Sequence, residues 1–296
     1  MSISLYGWPF TLDLKEFITS SQTNQEKKIS IVIPTLNQAE TIEDTLLSII
    51  HQDYKNLEII VIDGGSSDNT IGIIKKYEAW ISYFISGADS GQSDAINKGF
   101  EVATGDILGW INSDDFYLPF AFRRISHFFE RNQEIDILIG AGDVVSRDCK
   151  FLKHIIPMQL KRENLLKWFD GAWVMQQSCF WSNKIWKKSG GVDQALKLLM
   201  DFDLWFRFSD LGKSAIINEP LAAMRYYPQI KTVSLKNIVK EEAAYVFAKN
   251  KEFDAVKKIV SELVVENKVL LSQKSSRENM MVSSFLRRFR IIGEST

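Results

Sequence analysis

The sequence contains few of the residues that bind structural metals or form disulfides. Two cysteines and three histidines occur among 296 residues, and neither a CxxC pair nor a metal-ligand histidine spacing is present. We therefore expect no zinc site. Two unpaired cysteines, Cys149 and Cys179, are typical of a reduced, cytoplasmic protein.

The chain also lacks an excess of charge and any long apolar run. Lys and Arg number 36 and Asp and Glu 37, for a formal net charge of −1, so no broad basic surface for nucleic acid is expected. No stretch approaches the roughly 20 apolar residues that span a bilayer, and the first residues lack a signal-peptide pattern. We expect a protein that is neither secreted by that route nor integral to a membrane.

Apolar runs alternate with amphipathic segments after a polar lead-in at residues 1–28. We predict strands at 29–34, 57–62, 81–86, 106–112 and 135–140, with helices after residue 37, at 69–80, at 92–103 and from about residue 119. Asn37 and Glu40 resemble a capping box at the start of the first helix. The alternation predicts an α/β fold with a mixed, mostly parallel sheet flanked by helices, whose ligands bind at the carboxyl ends of strands.

The strict alternation ends after residue 142. We predict a hairpin around Arg147–Lys150, a helix at 161–169, and strands at 177–181 and 214–218. Because no flexible linker interrupts the chain, we interpret 29–234 as one domain with two halves, 29–142 and 143–234. Residues 235–296 are predicted to form a helical extension.

The basic tail of this extension, FLRRFRIIG at 285–293, has two interpretations. A solvated helix or a contact between copies of the chain fits its composition better than a peripheral contact with an anionic membrane surface. We expect a homo-oligomer to be one outcome of such a contact.

Acidic residues stand at the ends of predicted strands. Asp63 follows one strand and precedes Gly64; it either caps the next helix or accepts hydrogen bonds from a base or ribose. Asp114 and Asp115 follow another strand, and two adjacent carboxylates favour a divalent cation that also binds a diphosphate. Because no GxxxxGK[ST] loop is present, we expect the metal to neutralise most of the diphosphate charge.

A second acidic pair, Asp201 and Asp203, begins an apolar helix. One of the two is expected to cap that helix. The other, beside aromatic neighbours, would have a raised pKa that suits a general base. The two clusters therefore predict one metal-binding function and one proton-abstracting function.

Seven short strings resemble, in order and spacing, those of the family 2 glycosyltransferases with the GT-A fold. They are IPTLN at 33–37, IDGGSSDNT at 62–70, DSGQSDAINKG at 89–99, NSDD at 112–115, QQSCFW at 176–181, GGVD at 190–193 and DFDLW at 201–205. The resemblance implies an inverting transferase that uses a nucleoside-diphosphate sugar and Mg²⁺ or Mn²⁺. The implied acceptor is a hydroxyl of a saccharide or lipid-linked saccharide, in bacterial cell-surface polysaccharide or glycolipid synthesis.

The resemblance also implies roles for single residues. Positions similar to donor or nucleotide contacts are Pro34, Thr35, Asn37, Asp63, Gly64, Asp94, Lys98, Asp114 and Arg225. Asp115 matches the direct metal ligand, with Asp114 as a second ligand or a sugar contact. Asp201 matches the catalytic base. For Arg225, a contact near the diphosphate and a surface salt bridge both remain open.

Two departures from the family pattern affect these expectations. Gly64 stands where many members have an acid or amide, so uridine specificity is not implied. Met200 replaces a glutamate before Asp201, so Asp203 is a rival for the base. The alternative functions are a nucleotidyltransferase that makes sugar nucleotides and a non-catalytic sugar-binding subunit.

Overall fold

The structure is a computed structural model that describes residues 27–52, 54–168, 171, 174–228 and 235–273, with only the backbone of 236, 237 and 268–273. Most of the predicted lead-in and the basic tail lie outside the described residues.

One nine-stranded sheet forms the centre of the fold. Its strands are β1 (Ile29–Thr35), β2 (Leu57–Asp63), β3 (Tyr83–Ser86), β4 (Ile107–Trp110), β5 (Phe116–Tyr117), β6 (Ile137–Val145), β7 (Phe151–Ile155), β8 (Cys179–Ser182) and β9 (Ser214–Arg225). The helices of the described residues are α1 (Ile42–Ile50), α2 (Thr70–Lys76), α3 (Gln92–Val102), α4 (Ala121–Arg131), α5 (Arg162–Leu165), α6 (Asn183–Ser189), α7 (Met200–Leu211), α8 (Lys236–Lys249) and α9 (Phe253–Gln273).

The sheet is mixed, with the order β3-β2-β1-β4-β8-β6-β9-β5 and β7 paired with β6. The first four strands in this order are parallel, and β8 runs antiparallel to both of its neighbours. The predicted α/β fold with a mixed sheet is confirmed. Because β1, β2 and β4 are parallel, their carboxyl ends meet at one edge of the sheet.

The parallel strands form because their sequences are continuous apolar and β-branched runs. Every residue of β1 is buried, and Ile29, Ile31 and Ile33 pack in a core with the apolar face of α1. Fully burying an isoleucine side chain contributes about 1.5–3 kcal/mol. This core gives the loops at the strand ends a rigid support.

The structure differs from the predicted elements at several places. The capping box is wrong: α1 begins at Ile42, and Asn37 adopts a positive φ of 53° instead of capping it. The helix predicted at 161–169 is only the short α5 within its described part. The short strand β5 was not predicted, since two residues between polar loops give no periodic signal.

The chain divides into two compact units, residues 1–195 with 204–227 and residues 196–203 with 228–296. The first unit contains all nine strands, and the second contains α8 and α9. The predicted halves at 29–142 and 143–234 and the extension at 235–296 stay predictions. No helix within the described ranges is both long and apolar enough to cross a membrane.

Candidate active site

The loops after β1 and β2 are joined by hydrogen bonds at the carboxyl edge of the sheet. The backbone N–H of Asn37 donates to Ser66 Oγ at 2.8 Å, and Asn37 Oδ1 accepts from the Ser67 N–H at 2.8 Å. The Gly64 N–H donates to the Thr35 carbonyl at 2.9 Å. Asn37 therefore connects two loops, which explains its strained backbone better than a helix cap would.

The end of β1 presents one polar group without a partner. Pro34 and Thr35 are both buried, and Thr35 Oγ1 has no hydrogen bond among the described residues. A buried hydroxyl that lacks a hydrogen-bond partner destabilises the folded protein unless a ligand or a water molecule supplies that partner. Thr35 is thus placed where the resemblance expects a nucleoside contact, and that role stays a prediction.

Asp63 organises the loop that follows it. Its Oδ2 accepts from the N–H groups of Gly65 at 3.1 Å and Ser66 at 2.9 Å, and from Ser86 Oγ at 2.6 Å. Its side chain is buried. These contacts do not cap the next helix, because α2 begins at Thr70 with Asn69 at its cap position and no side-chain cap. The nucleoside contact of Asp63 stays a prediction.

Gly64 lies at a close approach between the loop after β2 and the side chain of Asp89. A Cβ at this position would lie 2.9 Å from Asp89 Oδ2, closer than ordinary packing allows. The glycine at a position where the family often has an acid or amide therefore permits Asp89 to approach the β2 loop.

Asp94 and Lys98 form an ion pair on α3. Lys98 Nζ lies 2.8 Å from Asp94 Oδ2, with the spacing of neighbours on one helix face. The Asp94 carboxylate also accepts from the Ser90 N–H at 3.0 Å. Its bond to Lys98 contributes most to a lowered pKa of Asp94, so this carboxylate is charged at neutral pH. Their donor-side roles stay predictions.

The two acids that follow β4 have different surroundings. Asp115 is buried, and its carboxylate accepts from Gln177 Nε2 at 2.5 Å and from the Arg225 N–H at 2.9 Å. Asp114 is partly exposed; its Oδ2 accepts from the Tyr227 hydroxyl at 2.8 Å. Its Oδ1 accepts no hydrogen bond from the part of the chain that the structure describes. Asp114 therefore has the open oxygen.

Burial affects the ionisation of Asp115. Desolvation raises the pKa of its carboxyl well above the usual value, and the neighbouring charge of Asp114 adds to the effect. A cation bound between the two carboxylates would reverse this shift, because it favours the charged form. The surroundings therefore make the loop a place where positive charge is favourable.

Arg225 is buried beneath the loop of Asp114 and Asp115. Its side chain is 1% exposed and forms an ion pair with Asp44 of α1. Its Nη1 donates to the Asp114 carbonyl at 2.7 Å. The surface salt bridge considered from the sequence is in fact a buried one, and the contact with a diphosphate stays a prediction.

A polar cavity of about 150 Å³ lies beside these loops. It is lined by the residues 37–41, Asp68, Arg147 and Tyr227. The Arg147 guanidinium lies 5.6 Å from the centre of the Tyr227 ring. The sequence interpretation did not find Arg147 or Tyr227, because a hairpin turn and an irregular segment after a strand carry no motif. Gln177 lies in the QQSCFW string, so the sequence contained a motif that could have identified it.

Asp201 lies in the first turn of α7, within the second unit. Its carboxylate accepts from the Phe202 N–H at 2.7 Å, and burial raises its pKa to about 6. Glu242 of α8 accepts from the N–H groups of residues 197–199, just before the helix begins. Glu242 therefore fixes the segment that precedes α7, while Asp201 itself accepts from an N–H of the first turn.

Asp203 has a different environment from Asp201. It is fully buried, and Lys249 Nζ lies 3.0 Å from its Oδ1. Its carboxylate is therefore enclosed by the fold and engaged by an ion pair. These contacts favour Asp201 as the base, and the choice between the two stays a prediction.

Several aromatic residues in the second half of the chain belong to the core. Phe180, Trp181 and Trp186 are buried, and Trp181 packs edge-on against Trp110 at 5.4 Å. Phe169 and Trp173 lie outside the described residues. The buried three therefore hold the sheet and its helices together, as aromatics in cores generally do.

The residues of the Asp114 loop fit a divalent cation that arrives with a diphosphate. No group of three or more His, Cys, Asp or Glu suited to a metal occurs among the described residues. Mg²⁺ sites often use one or two carboxylates together with substrate phosphates. The open oxygen of Asp114 and the carboxylate of Asp115 correspond to such an incomplete donor set.

Comparisons with known proteins agree with this geometry. A family model described as "Glycosyl transferase family 2" matches residues 30–188, more than half of the chain. The chain is 28% identical over 228 residues to an uncharacterized glycosyltransferase of Rickettsia typhi (strain ATCC VR-144 / Wilmington), covering 75% of this chain and 71% of that protein.

Two solved structures have similar folds. S. aureus TarS 1-349 in complex with UDP-GlcNAc gives a TM-score of 0.65 at 15% identity, covering 88% of this chain and 81% of that one. The mannosyltransferase PcManGT from Pyrobaculum calidifontis in complex with GDP-Man and Mn²⁺ gives 0.58 at 12% identity, covering 90% and 81%. The GT-A fold expected from the sequence is confirmed.

Proposed function

The chain belongs to glycosyl transferase family 2, and from this premise we propose that it transfers a sugar from a nucleoside-diphosphate sugar to an acceptor hydroxyl with inversion. That the protein is a glycosyltransferase follows from the family and its relatives. The observation that carries the finer proposal is the open oxygen of Asp114, whose other carboxylate oxygen accepts from Tyr227, a residue that lines the polar cavity.

The donor site is proposed at the loops after β1, β2 and β4. The unpaired Thr35 hydroxyl at the end of β1 and the cavity lined by the loop that follows support nucleoside binding there. UDP-GlcNAc and GDP-Man are the ligands of the two similar solved structures, which supports a nucleotide sugar as the donor. Pro34, Asn37, Asp63 and Gly64 would form the wall of this site.

Asp114 and Asp115 would hold Mg²⁺ or Mn²⁺ together with the donor diphosphate. When bound, the ion supplies positive charge that offsets the charge developing on the departing nucleoside diphosphate. Asp114 has the accessible oxygen, whereas Asp115 must share or release its bond to Gln177 to take part. The contacts thus favour Asp114 as the direct ligand, in place of the Asp115 that the family pattern suggests.

Asp201 is the proposed general base. A carboxylate whose pKa is raised to about 6 is mostly ionised at neutral pH and accepts a proton more readily than an ordinary aspartate. It would take the proton from the acceptor hydroxyl as that oxygen attacks the anomeric carbon. A single displacement of this kind inverts the configuration.

The acceptor is proposed to be a saccharide or lipid-linked saccharide of bacterial cell-surface polysaccharide or glycolipid synthesis. A cytoplasmic location, a peripheral membrane contact and a homo-oligomer are proposed with it. The tail on which the last two depend lies outside the described residues.

A two-step experiment tests the proposal. A thermal-shift screen of nucleoside diphosphates and their sugars with Mn²⁺ identifies the donor, because a ligand that binds only the native state raises the melting temperature. The donor found is then incubated with acceptor saccharides, and release of nucleoside diphosphate is measured. Pyrophosphate release from a nucleoside triphosphate would instead support a nucleotidyltransferase. Donor binding without turnover of any acceptor would support a non-catalytic subunit.

A further inference from the structure

We propose that a polar stripe on α1, together with Arg225, positions the Asp114–Asp115 loop for the donor diphosphate, with Asp44 acting as a positioning residue through Arg225. The polar stripe consists of Thr41, Thr45, Ser48 and Gln52. The inference rests on the proposed function, since it assigns the device that shapes the donor site.

The polar stripe forms hydrogen bonds to the backbone of the loop at each turn of the helix. Its members are three or four positions apart, so their side chains lie on one face. The bonds are Thr41 Oγ1 to the Ser113 carbonyl (2.9 Å), Thr45 Oγ1 to the Asp115 carbonyl (2.6 Å), the Tyr117 N–H to Ser48 Oγ (3.1 Å) and Gln52 Nε2 to the Leu118 carbonyl (2.9 Å). The helix thus fixes the backbone on both sides of the acidic pair.

The carbonyl of Asp114 is satisfied from the opposite direction by Arg225. This residue donates Nη1 to that carbonyl at 2.7 Å and its backbone N–H to Asp115 Oδ1 at 2.9 Å. Its guanidinium lies 5.0 Å from the centre of the Phe116 ring. One residue therefore fixes both the backbone of Asp114 and the carboxylate orientation of Asp115.

Asp44 holds the Arg225 guanidinium in this orientation. It lies between Thr41 and Ser48 on the same face of α1 and accepts from Arg225 Nη2. The two side chains are 18% and 1% exposed, so water competes weakly for the pair. Because removing one partner leaves the other charge buried and uncompensated, the orientation of Arg225 depends on Asp44.

This arrangement makes Arg225 act on the loop and not on the ligand. Its side chain is almost inaccessible, and its guanidinium nitrogens contact Asp44, Asp114 and Cys149. The open Oδ1 of Asp114 is then presented by a backbone that is fixed before the donor arrives. Preorganised groups bind more tightly because less freedom is lost on binding.

The test compares Asp44→Asn with Glu43→Gln. Both remove one negative charge from the first turn of α1 and lose the same interaction with the helix dipole. Glu43 has other partners: it accepts from the Tyr77 hydroxyl at 2.8 Å and lies 3.6 Å from Lys76 Nζ. Calorimetry with UDP and with GDP, each with Mn²⁺ and with EDTA, and thermal unfolding are measured for both variants.

We expect Asp44→Asn to weaken the Mn²⁺-dependent affinity about tenfold and Glu43→Gln to change it less than about twofold. A purely structural role would lower the melting temperature without changing affinity well below it. Equal affinities for the two variants would overturn the positioning role. A wild-type protein that binds no nucleoside diphosphate would instead contradict the proposed function itself.

A second pair of variants decides the question if Asp44→Asn does not fold. Thr45→Val keeps the shape of the side chain and removes its hydrogen bond to the Asp115 carbonyl, while Thr45→Ser keeps the hydroxyl. We expect affinity to fall about fivefold for the valine variant and to be retained by the serine variant. Equal affinities of these two variants would also overturn the inference.

Discussion

The two acidic clusters differ in what holds the buried member of each pair. Asp115 is held by neutral donors, the Gln177 amide and a backbone N–H. Asp203 is held by the cation of Lys249. In both clusters the other acid, Asp114 or Asp201, is less enclosed. A pair of acids in sequence therefore separates into one acid that is fixed by the fold and one that is left for chemistry.

Burial and the neighbouring charge of Asp114 raise the pKa of Asp115, and the attraction of Arg225 only partly opposes this rise. A cation from solution would favour the charged carboxylate. At Asp203 the protein supplies that cation itself. The difference indicates that the first cluster is suited to an external ion and the second is complete without one.

The largest expected effect is that of Asp201→Asn. Removing a general base lowers the turnover number by about 10²–10⁴-fold, because the acceptor hydroxyl must then lose its proton to water. Donor affinity, measured by calorimetry, should stay within about twofold, since Asp201 is not assigned to the donor site. Near-normal turnover in this variant, with loss of turnover in Asp203→Asn, would move the role to Asp203.

The next largest effect separates Asp114 from Asp115. We expect Asp114→Asn to weaken Mn²⁺-dependent binding of the nucleoside diphosphate by at least about tenfold, or about 1.4 kcal/mol. Asp115→Asn should have a smaller effect, because its oxygens already accept bonds from the protein. The measurement is calorimetry with and without Mn²⁺. The reverse order would identify Asp115 as the direct ligand.

The pH dependence of turnover tests the environment of Asp201. Burial raises its pKa to about 6, and the base acts only when ionised. Turnover should therefore be nearly constant above pH 7 and fall about tenfold per unit below pH 6. The turnover number at saturating substrate, measured from pH 5 to 8, shows this decrease. A turnover number that decreases only near pH 4 would indicate an ordinary aspartate and contradict the assignment.

The smallest expected effect on activity is that of Lys249→Met. This change leaves Asp203 buried without its cation, and we expect it to lower the free energy of unfolding by about 2 kcal/mol. The loss is below that of a fully enclosed pair because Lys249 is 35% exposed. Turnover should be unchanged, which denaturant unfolding and an assay together would show.

Lys240→Met is the matched control for this prediction. Lys240 lies on the same helix and pairs with Glu262 and Glu266, both largely exposed. Exposed pairs contribute only about 0–1 kcal/mol. If both lysine variants lose the same stability, Lys249 does not compensate Asp203 in the way described.

The strands of the parallel block were predictable because their signal is local. Continuous β-branched runs such as LEIIVI at 57–62 are typical of buried parallel strands. The order strand, helix, strand then requires that the ends of β1, β2 and β4 meet at one edge. The positions of Asp63 and of the Asp114–Asp115 pair at that edge follow directly.

The partners of these acids were not predictable from the sequence. Glu242 binds the segment before α7 from more than forty positions away, and no motif connects them. Whether Arg225 is exposed or buried depends on which helix face packs against it, and the sequence does not specify that face. Asn37 resembled a helix cap because capping and loop-bridging use the same side-chain oxygen.

The sequence by itself determined the alternation of elements, the family and the set of acids that stand at strand and helix ends. Only the tertiary structure decided which acid of each pair is less enclosed by the surrounding protein. Hydrogen-bond partners such as Gln177, Tyr227 and Lys249 come from distant parts of the chain, and burial depends on every element that packs against a residue. Chemical type is local, whereas availability for chemistry is a property of the folded environment.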